Sequence, residues 1–359
     1  MRTHKVRRSD QQIEWIAPDP VFPSTRFQGS KLKITDWIWE SVQGLNFDSA
    51  LDAFGGTGSV GYMFKKKGKK VTCNDILKFN WYIGLALIEN DAAKLAQEDV
   101  DFIVKRHTDM KYPTFIHDTF HDIYFTDEEN IWIDTVAANI RTIDRIYKRA
   151  LAYFALFQSC IRKRPFNLFH RKNLYLRFSE VERNFGNKAT WDTPFEDHFR
   201  KFSEEANQAV FSNCRENRCL NLDIFDVGGA YDLVYIDTPY ISRKGFGVDY
   251  LGFYHFLEGL VHYETWPEMI DNRTKHKRLK GRGSVWTDKK LIHSAFDQLF
   301  RQFRDSILVI SYRADGIPSL DELVDLLKKY KEDIQEIKRK NYKYALSTNH
   351  SEEILLIGT

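Results

Sequence analysis

The chain of 359 residues has no apolar run approaching the length of a membrane helix, about 20 residues, so no segment reads as a membrane span. No apolar stretch follows the basic start, Met1 to Arg8, which predicts a chain without a secretory leader. Cysteine is scarce: Cys73, Cys160, Cys214 and Cys219 are the only four, and none has a partner at metal-ligand spacing. Reduced thiols and no metal site are expected. Together these absences predict a soluble, cytoplasmic protein. Charge of one sign is also lacking, since 53 Lys and Arg face 50 Asp and Glu for a net +3. No global basic field forces a nucleic-acid partner, and any such contact must come from local patches. Glycine is missing between Gly84 and Gly186, which sets the middle of the chain apart from its flanks. Repeats and low-complexity tracts are absent too.

What is there suits a large α/β protein. Hydrophobic residues make up 43% and aromatics 14%, enough for a sizeable core. Residues 1–25 read as an irregular arm and 31–44 as a helix. Strand, loop, helix and strand follow over Phe47–Phe54, 58–67 and Lys69–Asn74, a β-loop-α-β unit, with another helix over 78–90. From about 91 the pattern becomes helical and aromatic. Val136, Ile140, Ile143, Tyr147, Ala150, Phe154 and Phe157 keep one helical face, which reads as plain core. Three parts are predicted: 1–90 and 215–359 form the α/β domain, and 91–214 is a helical insert. Residues 242–284 read as a long loop, 288–303 and 319–330 as helices, and 307–312 and Glu353–Ile357 as strands.

The most telling feature is Asp237-Thr238-Pro239-Tyr240, which ends the apolar run Tyr231–Ile236. A buried strand there delivers a carboxylate, a carbonyl before an aromatic, and the aromatic itself to a carboxyl end, where open α/β sheets bind ligands. These groups suit a flat ring bearing an amino group: Asp237 and the carbonyl of Pro239 accept from the nitrogen and Tyr240 stacks. A bare turn of the Asp-x-Pro-aromatic kind is the plain alternative. Asp52-Ala53-Phe54-Gly55-Gly56-Thr57-Gly58 follows a strand and opens a helix, and Asp75 ends the next strand, 19 residues after Gly56. Glycines there let backbone approach a ligand, and the acid can accept from both hydroxyls of a ribose. A nucleoside cofactor fits, and the loop alone leaves a nicotinamide dinucleotide and S-adenosylmethionine both open. Phe27 and Lys31 lie at the mouth of the first helix, where the ammonium can meet a carboxylate and the ring can cover a cofactor face. Asp223, 14 residues before Asp237, can accept from an adenine amino group.

Together these segments resemble the amino-group DNA methyltransferases, specifically the Dam-like adenine-specific group. Phe27-Gln28-Gly29-Ser30-Lys31 looks like that group's amino-terminal motif, and Asp52–Gly58 with its Phe54-x-Gly56-x-Gly58 core looks like its S-adenosylmethionine loop. Asp237–Tyr240 looks like the catalytic Asp-Pro-Pro-Tyr, with Thr238 where the family has proline. Segments 311–316 and Tyr342–Ile357 are similar to later parts of the family. The resemblance implies a Rossmann-like methyltransferase sheet with an inserted, mainly helical target-recognition domain. It implies S-adenosylmethionine as cofactor, held by Phe27, Lys31 (on the methionine carboxylate), Asp52, Phe54, Gly56, Gly58, Asp75 (on the ribose), Asp223 (on the adenine) and Asp237. Asp237, Pro239 and Tyr240 are then catalytic, and an Asp at the first of these positions favours adenine over cytosine.

Double-stranded DNA is the implied substrate, and a flipped-out adenine the acceptor. Two basic stretches suit phosphate contact. Lys163, Arg164, Arg171 and Lys172 belong to the first, which interleaves bases with aromatics; Lys275, Lys277 and Arg278 belong to the second, which runs to Arg282. The setting implied by the family is modification in host defence, with any restriction endonuclease a separate chain and the methylase a monomer. An RNA or protein amino-group methyltransferase remains the main alternative. A nicotinamide dehydrogenase would leave the tetrapeptide unexplained, and a DNA-binding protein with decayed catalysis would leave the full set of motif acids unexplained.

Overall fold

The computed structural model describes residues 19–179, 188–243, 245, 247–281, 283–342 and 351–359. Nine strands occur among them: β1 (Ser49–Asp52), β2 (Lys70–Asn74), β3 (Arg218–Leu220), β4 (Leu233–Ile236), β5 (Ile241–Ser242), β6 (Ile307–Arg313), β7 (Gly316–Ile317), β8 (Ile334–Tyr342) and β9 (Ser351–Gly358). The helices are α1 (Thr35–Val42), α2 (Ser59–Lys66), α3 (Lys78–Gly84), α4 (Gln97–Val104), α5 (Phe115–Thr119), α6 (Asp127–Arg141), α7 (Ile146–Arg162), α8 (Tyr175–Phe178), α9 (Lys188–Asp192), α10 (Phe195–Ala209), α11 (Tyr250–Val261), α12 (Trp266–Met269), α13 (Ile292–Gln302) and α14 (Leu320–Leu327).

Seven strands form one sheet in the order β3-β2-β1-β4-β6-β9-β8. The first five in that order run parallel, and β9 runs antiparallel to both β6 and β8. The chain reverses its direction of travel across the sheet between β1 and β4, so a crevice opens outside their carboxyl ends. β4 is buried along its whole length, as a central parallel strand covered on both faces must be. One face carries Leu51, Val234 and Ile236 against Phe296 and Leu299 of α13. The other carries Val71 and Tyr235, and its core runs on without a break into the helical insert.

The helices α4 to α10 lie between β2 and β3. They are not a separate lobe in packing terms: Phe157 of α7 meets Phe79 of α3 edge-on at 5.8 Å. The apolar face read over 136–157 is shared by two helices, because residues 142–145 turn the chain between α6 and α7. Thr126 caps α6, accepting from the amide of Glu129, whose carboxylate answers back to the amide of Thr126.

Two expectations fail. The stretch 242–284 is not one long loop, for it holds α11 and α12. Two glycines disguise α11 in the sequence. One of them, Gly259, is needed for packing: a Cβ there would lie 1.9 Å from the Trp266 ring. Asp249 starts the helix by accepting from the amide of Gly252. Strand β8 was not expected at all. Its sequence, Ile-Gln-Glu-Ile-Lys-Arg-Lys-Asn-Tyr, is mostly polar, and among the described residues it pairs with β9 alone at the edge of the sheet, where polar sequence is common.

Candidate active site

Asp52, Asp75 and Asp237 meet at the crevice because β1, β2 and β4 are neighbours in parallel. The register sets Asp52 beside Cys73 and Tyr235, so each strand releases its acid at nearly the same height. The chain after Asp52 folds back as a tight loop. Gly56 and Gly58 take φ of 53° and 72°, the left-handed region that glycine enters without penalty. The buried Asp52 carboxylate turns inward and accepts from the amide of Gly61 at 2.9 Å, which anchors the start of α2. Burial lifts it to about 7, against that amide, with the charges of Asp237 and Asp75 adding. Phe54 packs edge-on against Trp286 at 5.1 Å.

Asp75 binds the loop from the other side. Its carboxylate accepts from the amides of Gly56 and Leu77, both at 2.8 Å, and from Asn80 at 3.1 Å. Burial still dominates and raises it to about 6, with those donors opposing. Asp223 lies on the exposed rim and accepts from the amide of Phe225. Sequence reasoning missed Ile76 and Leu222, which follow Asp75 and precede Asp223. They are 64% and 40% exposed, unusual for large aliphatic side chains beside a crevice. Acids for hydroxyl and amino donors, glycine backbone and apolar flanks fit a nucleoside cofactor.

The Asp237 side chain is 21% exposed and its Oδ1 lies 3.3 Å from Lys31 Nζ. Lys31 is therefore not free to meet a ligand carboxylate as its only partner. Its closer contact is Glu353 Oε1 on β9, at 2.6 Å. Burial disfavours the ammonium, yet Asp237 and Glu353 hold it well above the ordinary lysine range. Burial also raises Asp237, to about 6, with Lys31 opposing and Glu353 adding. Thr238 is buried. The Arg313 guanidinium lies 4.7 Å from the centre of the Tyr240 ring and is itself fixed by Asp315 at 2.8 and 2.9 Å. One face of Tyr240 is thus backed by a cation. Phe27 is buried in an aromatic stack, 4.1 Å from Tyr254 and 6.1 Å from Tyr250, both on α11. The Tyr250 hydroxyl packs so close to Gly29 that a Cβ there would lie 2.3 Å from it. Neither α11 nor Glu353 stood out in the sequence, since an acid opening an apolar strand carries no signal by itself.

The basic stretches divide. Arg164 is buried and folds its own loop, donating to the carbonyls of Leu168, Tyr124 and Arg171 and to Asn173 Oδ1. Burial pushes it down to about 9. Lys163 is buried too, held by Glu129 at 2.7 Å and the carbonyl of Thr193 at 2.8 Å. The expectation that these two reach DNA is therefore corrected: both are spent inside the insert. Arg171 is exposed, and Lys172 is exposed but pairs with Asp122 at 2.8 Å. Lys275 and Arg278 are exposed; Lys277 is half-buried and donates to Asn272. Arg282 lies outside the described residues. Tyr124 unites the two stretches, its hydroxyl lying 2.6 Å from the carbonyl of Phe169 and 2.7 Å from that of His276. The amide of Phe169 also bonds to the carbonyl of Phe253 on α11, at 2.9 Å, which ties the basic surface to the helix beside Tyr240.

Among the described residues no helix is long and apolar enough to cross a membrane, and no group of His, Cys, Asp and Glu could hold a metal ion. All four cysteines are free thiols.

Comparison with known proteins settles the family. Residues 27–265 match the family described as D12 class N6 adenine-specific DNA methyltransferase. The type II methyltransferase M2.HphI of Haemophilus parahaemolyticus is 30% identical over 319 residues, covering 87% of this chain and 89% of that protein. Modification methylase LlaI of Lactococcus lactis subsp. lactis is 25% identical, and the chain spans about half of it (52%). The type II methyltransferase M.NlaIII of Neisseria lactamica is 22% identical over 94% of its length. The chain belongs to the D12 class of N6 adenine-specific DNA methyltransferases, with S-adenosylmethionine as its cofactor and DNA as its substrate. The sequence expectation of an α/β sheet serving adenine-specific DNA methylation holds.

Proposed function

We propose that Asp237, Pro239 and Tyr240 carry the methyl transfer to the N6 amino group of an adenine flipped out of duplex DNA, and that the chain is a modification methylase of the restriction-modification kind. The observation that carries this reading is the pairing of Asp237 with Tyr240 at the carboxyl end of β4, with Lys31 behind the acid and Arg313 behind the ring. Tyr240 stacks on the base with the face away from Arg313. Asp237 and the carbonyl of Pro239 accept from the amino group. Those bonds localise the nitrogen lone pair that otherwise delocalises into the ring, which makes the nitrogen a nucleophile. Catalysis here is positioning plus electrostatics. S-Adenosylmethionine, when bound, supplies an electrophilic methyl group on sulfur. Gly56, Gly58, Phe54 and Asp75 would hold its nucleoside, Asp223 its adenine edge, and Phe27 would support the site from below; Asp52 acts by anchoring the loop. Lys31 would share its charge between Asp237 and the cofactor carboxylate.

Arg171, Lys172, Lys275, Lys277 and Arg278 form the phosphate-contacting surface on this reading, supported by their common attachment at Tyr124. The two type II relatives support a restriction-modification setting; on this reading the endonuclease is a separate chain, the methylase a monomer and the cytoplasm its place of work. Methyl transfer from labelled cofactor to unmethylated duplex DNA, followed by nucleoside digestion, tests the core of this. N6-methyladenine is expected, and Asp237→Ala abolishes it while keeping cofactor binding. Transfer retained by that variant sinks the assignment.

A further inference from the structure

We propose that Glu353, on the last strand of the sheet, is a positioning residue for the transfer: it shares the Lys31 ammonium with Asp237 and so leaves the Asp237 carboxylate an acceptor for the adenine amino group. The inference rests on the role proposed for Asp237 above. Its basis is a buried row of groups. Lys31 Nζ lies 2.6 Å from Glu353 Oε1 and 3.3 Å from Asp237 Oδ1, and Ser311 Oγ on β6 donates to the same Glu353 oxygen at 2.5 Å. Glu353 has no exposed surface, and Lys31 and Ser311 are buried with it. An acid so placed persists only if paired, yet here one cation serves two carboxylates, and the closer contact goes to the one farther from the reacting base.

The register explains the arrangement. Glu353 lies opposite Arg313, two residues along β6 from Ser311, and Arg313 backs Tyr240. One strand pair therefore supports both the acid and the ring. Take the Glu353 charge away, and the whole ammonium falls to Asp237. The two then form a one-to-one ion pair, and the full positive charge beside the carboxylate weakens it as an acceptor for the amino group. The other groups facing Asp237 are Tyr235 on its own strand, Tyr240, Tyr250 on α11 and Asp52 on β1. Among these and Lys31, Glu353 is the acid that competes for the cation.

The test is a carbon-detected NMR titration of the Asp237 carboxyl in the full cofactor-free chain, with Asp237→Asn to identify the signal. Glu353→Gln keeps the shape and removes the charge. The Asp237 midpoint should fall by about one pH unit or more, because a like charge is lost and an opposite one approaches. Ser311→Ala makes Glu353 lean harder on Lys31, so the midpoint should rise. In parallel, the acid limb of kcat should move down in Glu353→Gln and its neutral plateau should drop between about ten- and a hundredfold, as for one weakened preorganised contact. An unmoved midpoint and acid limb in folded Glu353→Gln overturn the proposal. Should that variant not fold, an unmoved midpoint in Ser311→Ala overturns it. Methylation retained by Asp237→Asn would instead remove the role of Asp237 itself, whereas an inactive Asp237→Asn beside an unaltered Glu353→Gln removes only that of Glu353.

Discussion

Raising the pH from 5 to 7 should tighten S-adenosylmethionine binding about tenfold through Asp75 alone. In the ligand-free protein Asp75 titrates at about 6, because burial outweighs the amides of Leu77 and Gly56. Ribose hydroxyls donate to a carboxylate, and the cofactor carries net positive charge, so binding favours the ionised form. Suppose binding returns the group to about 4, the ordinary carboxylate range. At pH 5 the free protein then holds a proton that the complex lacks, and binding must expel it. At pH 7 neither state holds one, and the cost is gone. The ratio of the two dissociation constants is about ten, or about 1.4 kcal/mol. Asp52 and Asp237, at about 7 and about 6, lie in the same cluster and titrate in the same range, so Asp75→Asn is needed to isolate the Asp75 share. Isothermal titration calorimetry at pH 5, 6 and 7, in two buffers of different ionisation enthalpy, measures both the constants and the protons released. Asp75→Asn should bind more weakly and with a flatter slope. Affinity flat within about twofold across this range, with heats independent of buffer, would refute the reasoning, since a raised carboxylate that meets hydroxyl donors must release its proton.

Three further outcomes follow from the same geometry. Arg313→Ala removes the cation behind Tyr240 and should weaken stacking on the flipped base by about 1 kcal/mol; fluorescence of 2-aminopurine at the mapped target base reports it, and an unchanged signal speaks against a backing role. Arg164→Met should destabilise the fold by about 3 kcal/mol or more in thermal unfolding, as a buried cation leaving several unpaired acceptors does. Arg171→Ala with Lys275→Ala should instead leave stability alone and lower the slope of log affinity against log salt by about 2. If the two sets of effects were exchanged, the division between buried and contacting bases would be wrong.

The parts of the site that lie in consecutive residues were legible in the sequence. The loop at Gly56 and Gly58, the strand-end acids Asp75 and Asp237 and the aromatic at Tyr240 each follow an apolar run, and local pattern is enough to see them. What stayed hidden depends on tertiary pairing. Arg164 looks like its half-buried neighbour Arg162 and the exposed Arg171 in a row of bases, and only the fold shows it turned inward onto three carbonyls. Glu353 becomes a site residue only because β9 pairs with β6, across 42 residues from Ser311. Helix α11 was masked by Gly252 and Gly259, whose low helix propensity is outweighed by burial of nearly every side chain from Tyr254 to Val261. Strand β8 was masked by its charges.

The departure at Thr238 shows how the structure bears on a sequence anomaly. A proline at that position, as in the family motif, stiffens the chain between the acid and the ring, because its φ is fixed. Thr238 gives up that stiffness, yet the segment is restrained from both sides. Before it, Asp237 is held by Lys31. After it, β5 pairs with β7, setting Ile241 opposite Ile317 and Ser242 opposite Gly316, and the carbonyl of Tyr240 accepts from the amide of Val248 at 3.3 Å. The β-branched Thr238 side chain is itself buried, which restricts it further. Entropy that proline removes from the unfolded chain is modest, about 1 kcal/mol at most, whereas the strand pair and the ion pair act in the folded state, where the acid and the ring must be held. Thr238 is therefore compatible with the proposed catalytic geometry, because the groups proposed to accept from the adenine are the side chain of Asp237 and the carbonyl of Pro239, and neither belongs to residue 238.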